Sequence, residues 1–320
     1  TDEQRRLTNR AFFPEDSEWG SAGLQRRMIT LADSCYVSIG MVVNAHEKLA
    51  QGAFTMDDLV QNERDSAHPK RFVEGKHLER WLPAEHRWLE WGTDRAPRLF
   101  RRPTFPEIYG VKEMILVQRS PGPDPKACYD DMQLHFTEST VGFVPWHLLS
   151  NVRNRSLKKS ARYDDERGGR SELPNRRQLE EVSRRFAVKY LLAVMNSKVA
   201  RDFLRARRRS NIHLYPNDWK KLPIPDVTED QQVPVIRLVD EILIRKTADV
   251  HADVSDLEDQ LDQLVYRLYG LTEADINRIE ESVKVAPHGN SRRTKKHMGK
   301  SAPEPEPELV PEEDDDDALD

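Results

Sequence analysis

Apolar residues recur along this chain in two rhythms. Up to about residue 150 they come in short clusters set between prolines, glycines and polar turns. Ser34–Gly40 has the β-branched and aromatic content of a strand, and Arg71–Gly75, Arg87–Trp91, Met114–Arg119, Ala127–Thr137 and Ser139–Val144 predict further strands. Asn44–Gly52 predicts a short helix stopped by its glycine. Asp57–Pro69 reads as a polar loop, and Pro97–Pro106, with three prolines, as an irregular connection. Beyond Asn151 the spacing becomes helical. Val188, Leu191, Leu192, Met195, Val199, Phe203 and Leu204 keep three-to-four spacing and predict one long helix over Leu179–Arg208.

Asn211–Asp226 is a proline-bearing connector. Val235, Leu238, Val239, Ile242 and Leu243 then mark one amphipathic helix, and Val254, Leu257, Leu261, Leu264, Val265 and Leu268 mark another. Ser255 with Glu258 fits a capping box and Gly270 a helix stop, while Thr272 reads as the N-cap of a third, short helix. The pattern is that of an α+β protein, a mixed or antiparallel β module followed by a helical C-terminal part. The expected divisions are a linker or end of a preceding module at 1–23, a recognition domain at 24–226, a helical part at 227–284 and a disordered charged tail at 285–320. Arg155–Pro174, basic and glycine-bearing, is expected to be a mobile loop. The tail holds a basic cluster, Pro-Glu alternation and four consecutive aspartates (Asp314–Asp317), too little apolar surface to offset chain entropy.

Charge sharpens this picture. The chain of 320 residues is 33% charged and 37% hydrophobic, with a net charge of −5. Its last 20 residues carry ten acidic side chains and no basic one, which leaves residues 1–300 at +5. Asn151–Asn211 is strongly basic, with 18 Lys and Arg against 7 Asp and Glu, and Pro225–Lys284 strongly acidic, with 15 against 6. One part of the surface is therefore expected to face a polyanion. No apolar run is long enough to span a bilayer, and the first ten residues lack the apolar core of a secretory signal. Two cysteines, Cys35 and Cys128, neither staple a secreted fold nor ligate a structural zinc, so a reducing, cytoplasmic setting is expected.

Chemical motifs are mostly missing. The sequence has no glycine-rich nucleotide loop, no Gly-x-Ser-x-Gly elbow, no Asn-Pro-Pro-aromatic motif and no His-Cys metal spacing, so no catalytic, cofactor or metal residues are assigned. Asp65, Glu74 and Lys76 form a spaced Asp…Glu-x-Lys set that could hold Mg²⁺ and orient a water for phosphodiester cleavage, which keeps a nuclease as the alternative. A non-catalytic assembly subunit is a further one. Arg95, Arg98, Arg101 and Arg102 crowd a proline-rich stretch, free for recognition or paired with Glu90, Asp94 and Glu107. Arg205, Arg207, Arg208 and Arg209 exceed what a helix C-terminus needs. Trp81, Trp88, Trp91, Trp146 and Trp219 read more readily as packing residues than as stacking platforms.

Seven stretches resemble, in order, the TaqI-like specificity domain that follows the catalytic domain in adenine-specific DNA methyltransferases and fused restriction–methylation enzymes. Phe72-Val-Glu-Gly-Lys76-His-Leu-Glu-Arg80-Trp81 resembles that family's G-K-D-I-x-R-Y signature. The stretches Trp88–Arg95, Arg102–Glu107 and Lys112–Arg119 resemble its strands, and Lys189–Lys198 resembles its Y-L-L-A-I-L-N-S-K helix. Trp219–Pro225 carries its L-P-I-P marker, and Asp262–Glu273 resembles its typical ending. The resemblance implies a module that grips duplex DNA and reads a site, working with a methyltransferase domain or subunit that binds S-adenosylmethionine and flips the adenine. On that reading the chain is a C-terminal fragment or a separate subunit. The expected DNA-facing set is Lys76, Arg95, Arg98, Arg101, Arg102, Arg119, Lys158, Lys159, Arg207, Arg208 and Lys220. Asn196 and the Leu222–Pro225 turn are expected to be structural.

Overall fold

The computed structural model describes residues 27–50, 52–121, 124–161, 174–207 and 214–284. The expected linker at 1–23, most of the basic loop after Ala161, Arg208 and the charged tail lie outside the described residues. Eleven strands come first: β1 (Met28–Thr30), β2 (Cys35–Ile39), β3 (Val42–Ala45), β4 (Val60–Gln61), β5 (Lys70–Val73), β6 (Arg87–Leu89), β7 (Phe100–Arg102), β8 (Met114–Gln118), β9 (Ala127–Asp130), β10 (His135–Phe136) and β11 (Thr140–Pro145). Among them lie two short helices, α1 (Leu31–Ser34) and α2 (Glu47–Ala50). The later helices are α3 (Arg155–Ala161), α4 (Arg176–Arg184), α5 (Val188–Asn196), α6 (Lys198–Arg207), α7 (Pro216–Lys220), α8 (Glu229–Ala248), α9 (Ser255–Tyr269) and α10 (Glu273–Lys284), with β12 (Pro223–Pro225) between α7 and α8. The fold is α+β, as its pattern predicts.

A four-stranded antiparallel sheet, ordered β2-β11-β8-β9, forms the wall between two cores. Side chains alternate across a strand, so neighbours on β8 serve different cores. Ile115 and Val117 face a cluster built with α5, α6, α8 and α9, whereas Met114 and Leu116 face the core of the smaller sheets. Being covered on both faces, β8 and β11 are apolar through their centres, which makes them legible as strands. At Gly142 on β11 a Cβ would stand 2.6 Å from the Phe136 ring, so the ring can lie there only against glycine. Both cysteines are free and buried in this sheet, where burial pushes the Cys35 thiol up to about 12.

Several elements differ from the sequence expectation. The stretch Ala127–Thr137 is two strands in two sheets. Asp130 accepts backbone N–H bonds from Met132 (2.8 Å) and Leu134 (3.0 Å), and Gln133 turns to a φ of 59°, which breaks the strand. The expected helix over Leu179–Arg208 is three helices. Gln232 separates α4 from α5 by accepting from Ala187 N–H (3.0 Å) and donating to the Arg185 carbonyl (2.6 Å). Ser197 separates α5 from α6. Its hydroxyl donates to the Val194 carbonyl, while Asp262 accepts the Lys198 N–H at 2.9 Å. Within Asn44–Gly52, Asn44 and Ala45 belong to β3 and only Glu47–Ala50 is helical.

The proline connector contains β12, which pairs antiparallel with β1 in a two-stranded ribbon, where missing proline N–H groups are tolerated. Phe100–Arg102 is likewise β7, paired with β3, within the stretch read as irregular. The capping box at Ser255 does not form: Val254 is the N-cap, and Glu258 instead accepts the Trp81 indole N–H at 2.6 Å. Gly270 adopts the left-handed conformation that ends α9, with φ 70°, and Thr272 caps α10 reciprocally with Asp275. Among the described residues no helix is long and apolar enough to cross a membrane.

Candidate nucleic-acid interface

The smaller mixed sheet, ordered β10-β5-β6-β4, positions a group of cationic and aromatic side chains. Arg71 on β5 lies directly opposite Trp88 on β6, and cross-strand partners share a face. The Arg71 guanidinium stands 5.5 Å from the Trp88 ring centroid. That of Arg64, from the loop after β4, stands 5.4 Å from the same ring. These are cation–π distances, so an aromatic ring rather than a carboxylate holds both arginines.

Beside them opens a pocket of about 290 Å³, lined in part by Arg64, Lys70, Arg71, Trp88, Tyr109 and His135. Among the described residues no Asp or Glu lines it. His135, 5% exposed, is brought to it by the parallel pairing of β10 with β5. Its ring stacks on Tyr109 at 4.4 Å with an interplanar angle of 12°, and Trp91 meets it edge-on at 4.9 Å. Burial, and then the nearby Lys70 charge, push the imidazole down to about 4, so it is neutral at pH 7. The Gln133 backbone lies close to it without a hydrogen bond of ordinary geometry, and its buried Nδ1 has no partner among the described residues. Burial raises the Tyr109 phenol well above its ordinary value.

The predicted DNA-facing residues fall into different situations. Arg98 is exposed in the turn before β7, and Arg101 and Arg102 are exposed on β7, with no ion pair among the described residues. Lys158 is exposed on α3. Lys76 is exposed but pairs with Glu74 at 3.1 Å. Arg95 is engaged within the chain: its guanidinium bonds both carboxylate oxygens of Glu90 (2.6–3.0 Å) and the Asp58 carbonyl (2.9 Å), and covers Phe54. Of the two readings open in the sequence, pairing is the one this arginine takes. Arg119 is half-buried beyond the end of β8, its Nε without a partner among the described residues. Lys220 is half-buried in α7 and has an interaction partner. The side chains of Lys159 and Arg207, and all of Arg208, lie outside the described residues.

Asp65 and Glu74 are held by different partners. Asp65 accepts from His68 Nδ1 (2.8 Å) and from the Ala67 and His68 backbone. Glu74 is buried and holds Arg87 (2.5 Å) and Lys76. Among the described residues no group of three or more His, Cys, Asp or Glu is placed to hold a metal ion.

Sequence reasoning missed Arg64, Lys70, Arg71 and His135. Three basic residues within Arg64–Arg71, beside a loop read only as polar, were the available signal. Of the five tryptophans named, Trp81, Trp146 and Trp219 are core residues, whereas Trp88 and Trp91 are half-exposed at the pocket.

No family model matches the chain, and no curated protein matches it. Among solved structures it is similar to the Type IIL restriction–modification enzyme MmeI in complex with DNA, at 11% identity over 79% of this chain and 35% of that one, with a TM-score of 0.48. It is similar to the HsdS subunit from Thermoanaerobacter tengcongensis at 10% identity over 84% of this chain and 51% of that one, with a TM-score of 0.35. A third structure concerns complex assembly and conformational transition of the type I restriction–modification system. It matches at 10% identity over 84% of this chain and 52% of that one, with a TM-score of 0.35. The chain spans about a third to a half of these structures.

Proposed function

We propose that this chain is a DNA-recognition module of a restriction–modification protein, of the TaqI-like kind its motifs resemble, acting with an adenine-specific methyltransferase domain or subunit. The observation that carries this reading is the cationic and aromatic surface of β5 and β6, where no Asp or Glu lines the pocket among the described residues. Arginines held by a ring keep their N–H groups for phosphate oxygens, which they can engage in pairs. Exposed arginines on and before β7 add phosphate or base-edge contacts. Methyl transfer and S-adenosylmethionine belong to the partner on this reading, since no motif for either occurs in the chain.

The test is fluorescence anisotropy of the full chain on labelled duplexes at several salt concentrations. Binding should weaken steeply with salt, and Arg101→Ala with Arg102→Ala should reduce the slope of log K against log[salt] by about 0.9 for each phosphate no longer neutralised. Selection from a randomised duplex pool should relax at one position, by about 1–3 kcal/mol, if Arg98 or Arg101 reads a base. No binding, or binding indifferent to salt, rejects the reading.

A further inference from the structure

We propose that the pocket between β5, β6 and β10 binds a single nucleoside phosphate, its planar base among the aromatic side chains and its phosphate on Arg64, Lys70 and Arg71. Three features of the pocket point to that class of ligand. Three cationic residues line it, with Arg64 and Arg71 gathered at the Trp88 ring, and no Asp or Glu lines it among the described residues, so an anion is favoured. The walls are largely aromatic, with Trp88 half-exposed and the Tyr109–His135 stack behind it, which suits a flat heterocycle better than a sugar or an aliphatic acid. The buried Nδ1 of His135 has no partner among the described residues, and a base edge offers it one.

Size narrows the choice. About 290 Å³ is at the small end for ligand pockets, room for one base and its phosphate but not for a duplex. The occupant is therefore either a free nucleotide or an unpaired nucleotide of a strand. The inference stands on the pocket itself and draws on the proposed function only for the second of these sources.

Calorimetric titration of the full chain with the four nucleoside 5′-monophosphates tests it, alongside inorganic phosphate and the free nucleosides. At least one monophosphate should bind at least tenfold more tightly than phosphate or its own nucleoside. Lys70→Gln with Arg71→Gln should weaken that binding tenfold or more without moving the thermal midpoint, and His135→Phe, which keeps the stack, should weaken it less and change which base is preferred. Trp88→Ala is informative only if its melting transition is retained, and the Lys70 and Arg71 pair decides otherwise. A duplex with one unpaired nucleotide, compared with the intact duplex, separates the sources. Tighter binding of the interrupted duplex, lost in the Lys70 and Arg71 variant, assigns the site to a strand, whereas equal binding assigns it to a free nucleotide. Phosphate binding as tightly as every monophosphate overturns the proposal, as does monophosphate binding untouched by the Lys70 and Arg71 substitutions. Monophosphate binding in a chain that ignores duplex DNA would leave this inference standing while removing the proposed function.

Discussion

Replacing Asn196 with alanine removes a side chain that substitutes for a missing strand. Asn196 ends α5 and is 3% exposed. Its Oδ1 accepts the Ala127 N–H at 2.9 Å and its Nδ2 donates to the Ala127 carbonyl at 2.9 Å, so one amide satisfies both polar groups of a residue at the edge of the central sheet. The Ala127 carbonyl would keep the Trp81 N–H at 3.0 Å, but the Ala127 N–H would be left without a partner in a fully buried position. An orphaned buried donor costs about 1–3 kcal/mol, and the small void adds to it, so a loss of about 2–4 kcal/mol is expected. For a protein of this size that is a fall in thermal midpoint of about 4–16 °C. Asn196→Leu, which keeps the volume, should lose nearly as much. Urea denaturation followed by far-UV circular dichroism measures it, with the midpoint falling and the slope unchanged. A loss below about 0.5 kcal/mol for both variants would refute the reasoning, because it would mean that the edge of β9 needs no partner.

Other consequences are as direct. Lys198 bridges Asp259 (2.9 Å), Asp262 (3.3 Å) and Glu280 (3.1 Å). Burial by itself would lower its ammonium, but the three acids raise it; Lys198→Met should cost about 3–5 kcal/mol at pH 7 in a denaturation series, and the cost should shrink as pH falls, because burial raises the Asp262 carboxyl above its ordinary value. Arg95→Gln leaves the buried Glu90 carboxylate with Thr93 alone, so about 1–3 kcal/mol of stability should go while the salt dependence of DNA binding stays as it was. His135 has a folded value of about 4 against about 6.5 unfolded, so its contribution is present above pH 6.5 and is lost as pH falls toward 4; between pH 7 and pH 5 the wild-type chain should lose about 2 kcal/mol relative to His135→Phe. Asp130, raised to about 6 by burial, acts in the opposite sense: its contribution is present below about pH 4 and is lost as pH rises through 6, so the stability gap between wild type and Asp130→Asn should widen on going from pH 7 to pH 5.

What could be read in the sequence was what neighbouring residues decide. β8 and β11 were legible because both faces are buried and their central positions are apolar, and Gly270 and Thr272 because their roles are local. The breaks in the long helix were not. The apolar spacing runs straight through them, and the groups that make them, Gln232 and Asp262, come from other helices far along the chain. The Asn-Ser-Lys stretch was recognisable as a motif, but much of its physics lies in distant partners, the Ala127 backbone for Asn196 and three acids for Lys198, while Ser197 acts locally at the start of α6. Arg95 stayed ambiguous because a carboxylate five residues back and a phosphate ask for the same side chain. The pocket was invisible because its residues come from separate segments that only the pairing of β5 with β6 and β10 assembles.

Amide hydrogen exchange of the full chain, with and without a saturating duplex, tests most directly whether this surface holds DNA. Protection should concentrate at Arg64–Val73 and at Arg98–Gly110, leaving α8, α9 and α10 unchanged. Protection confined to those three acidic helices, with the strands exchanging as in the free chain, would contradict the account.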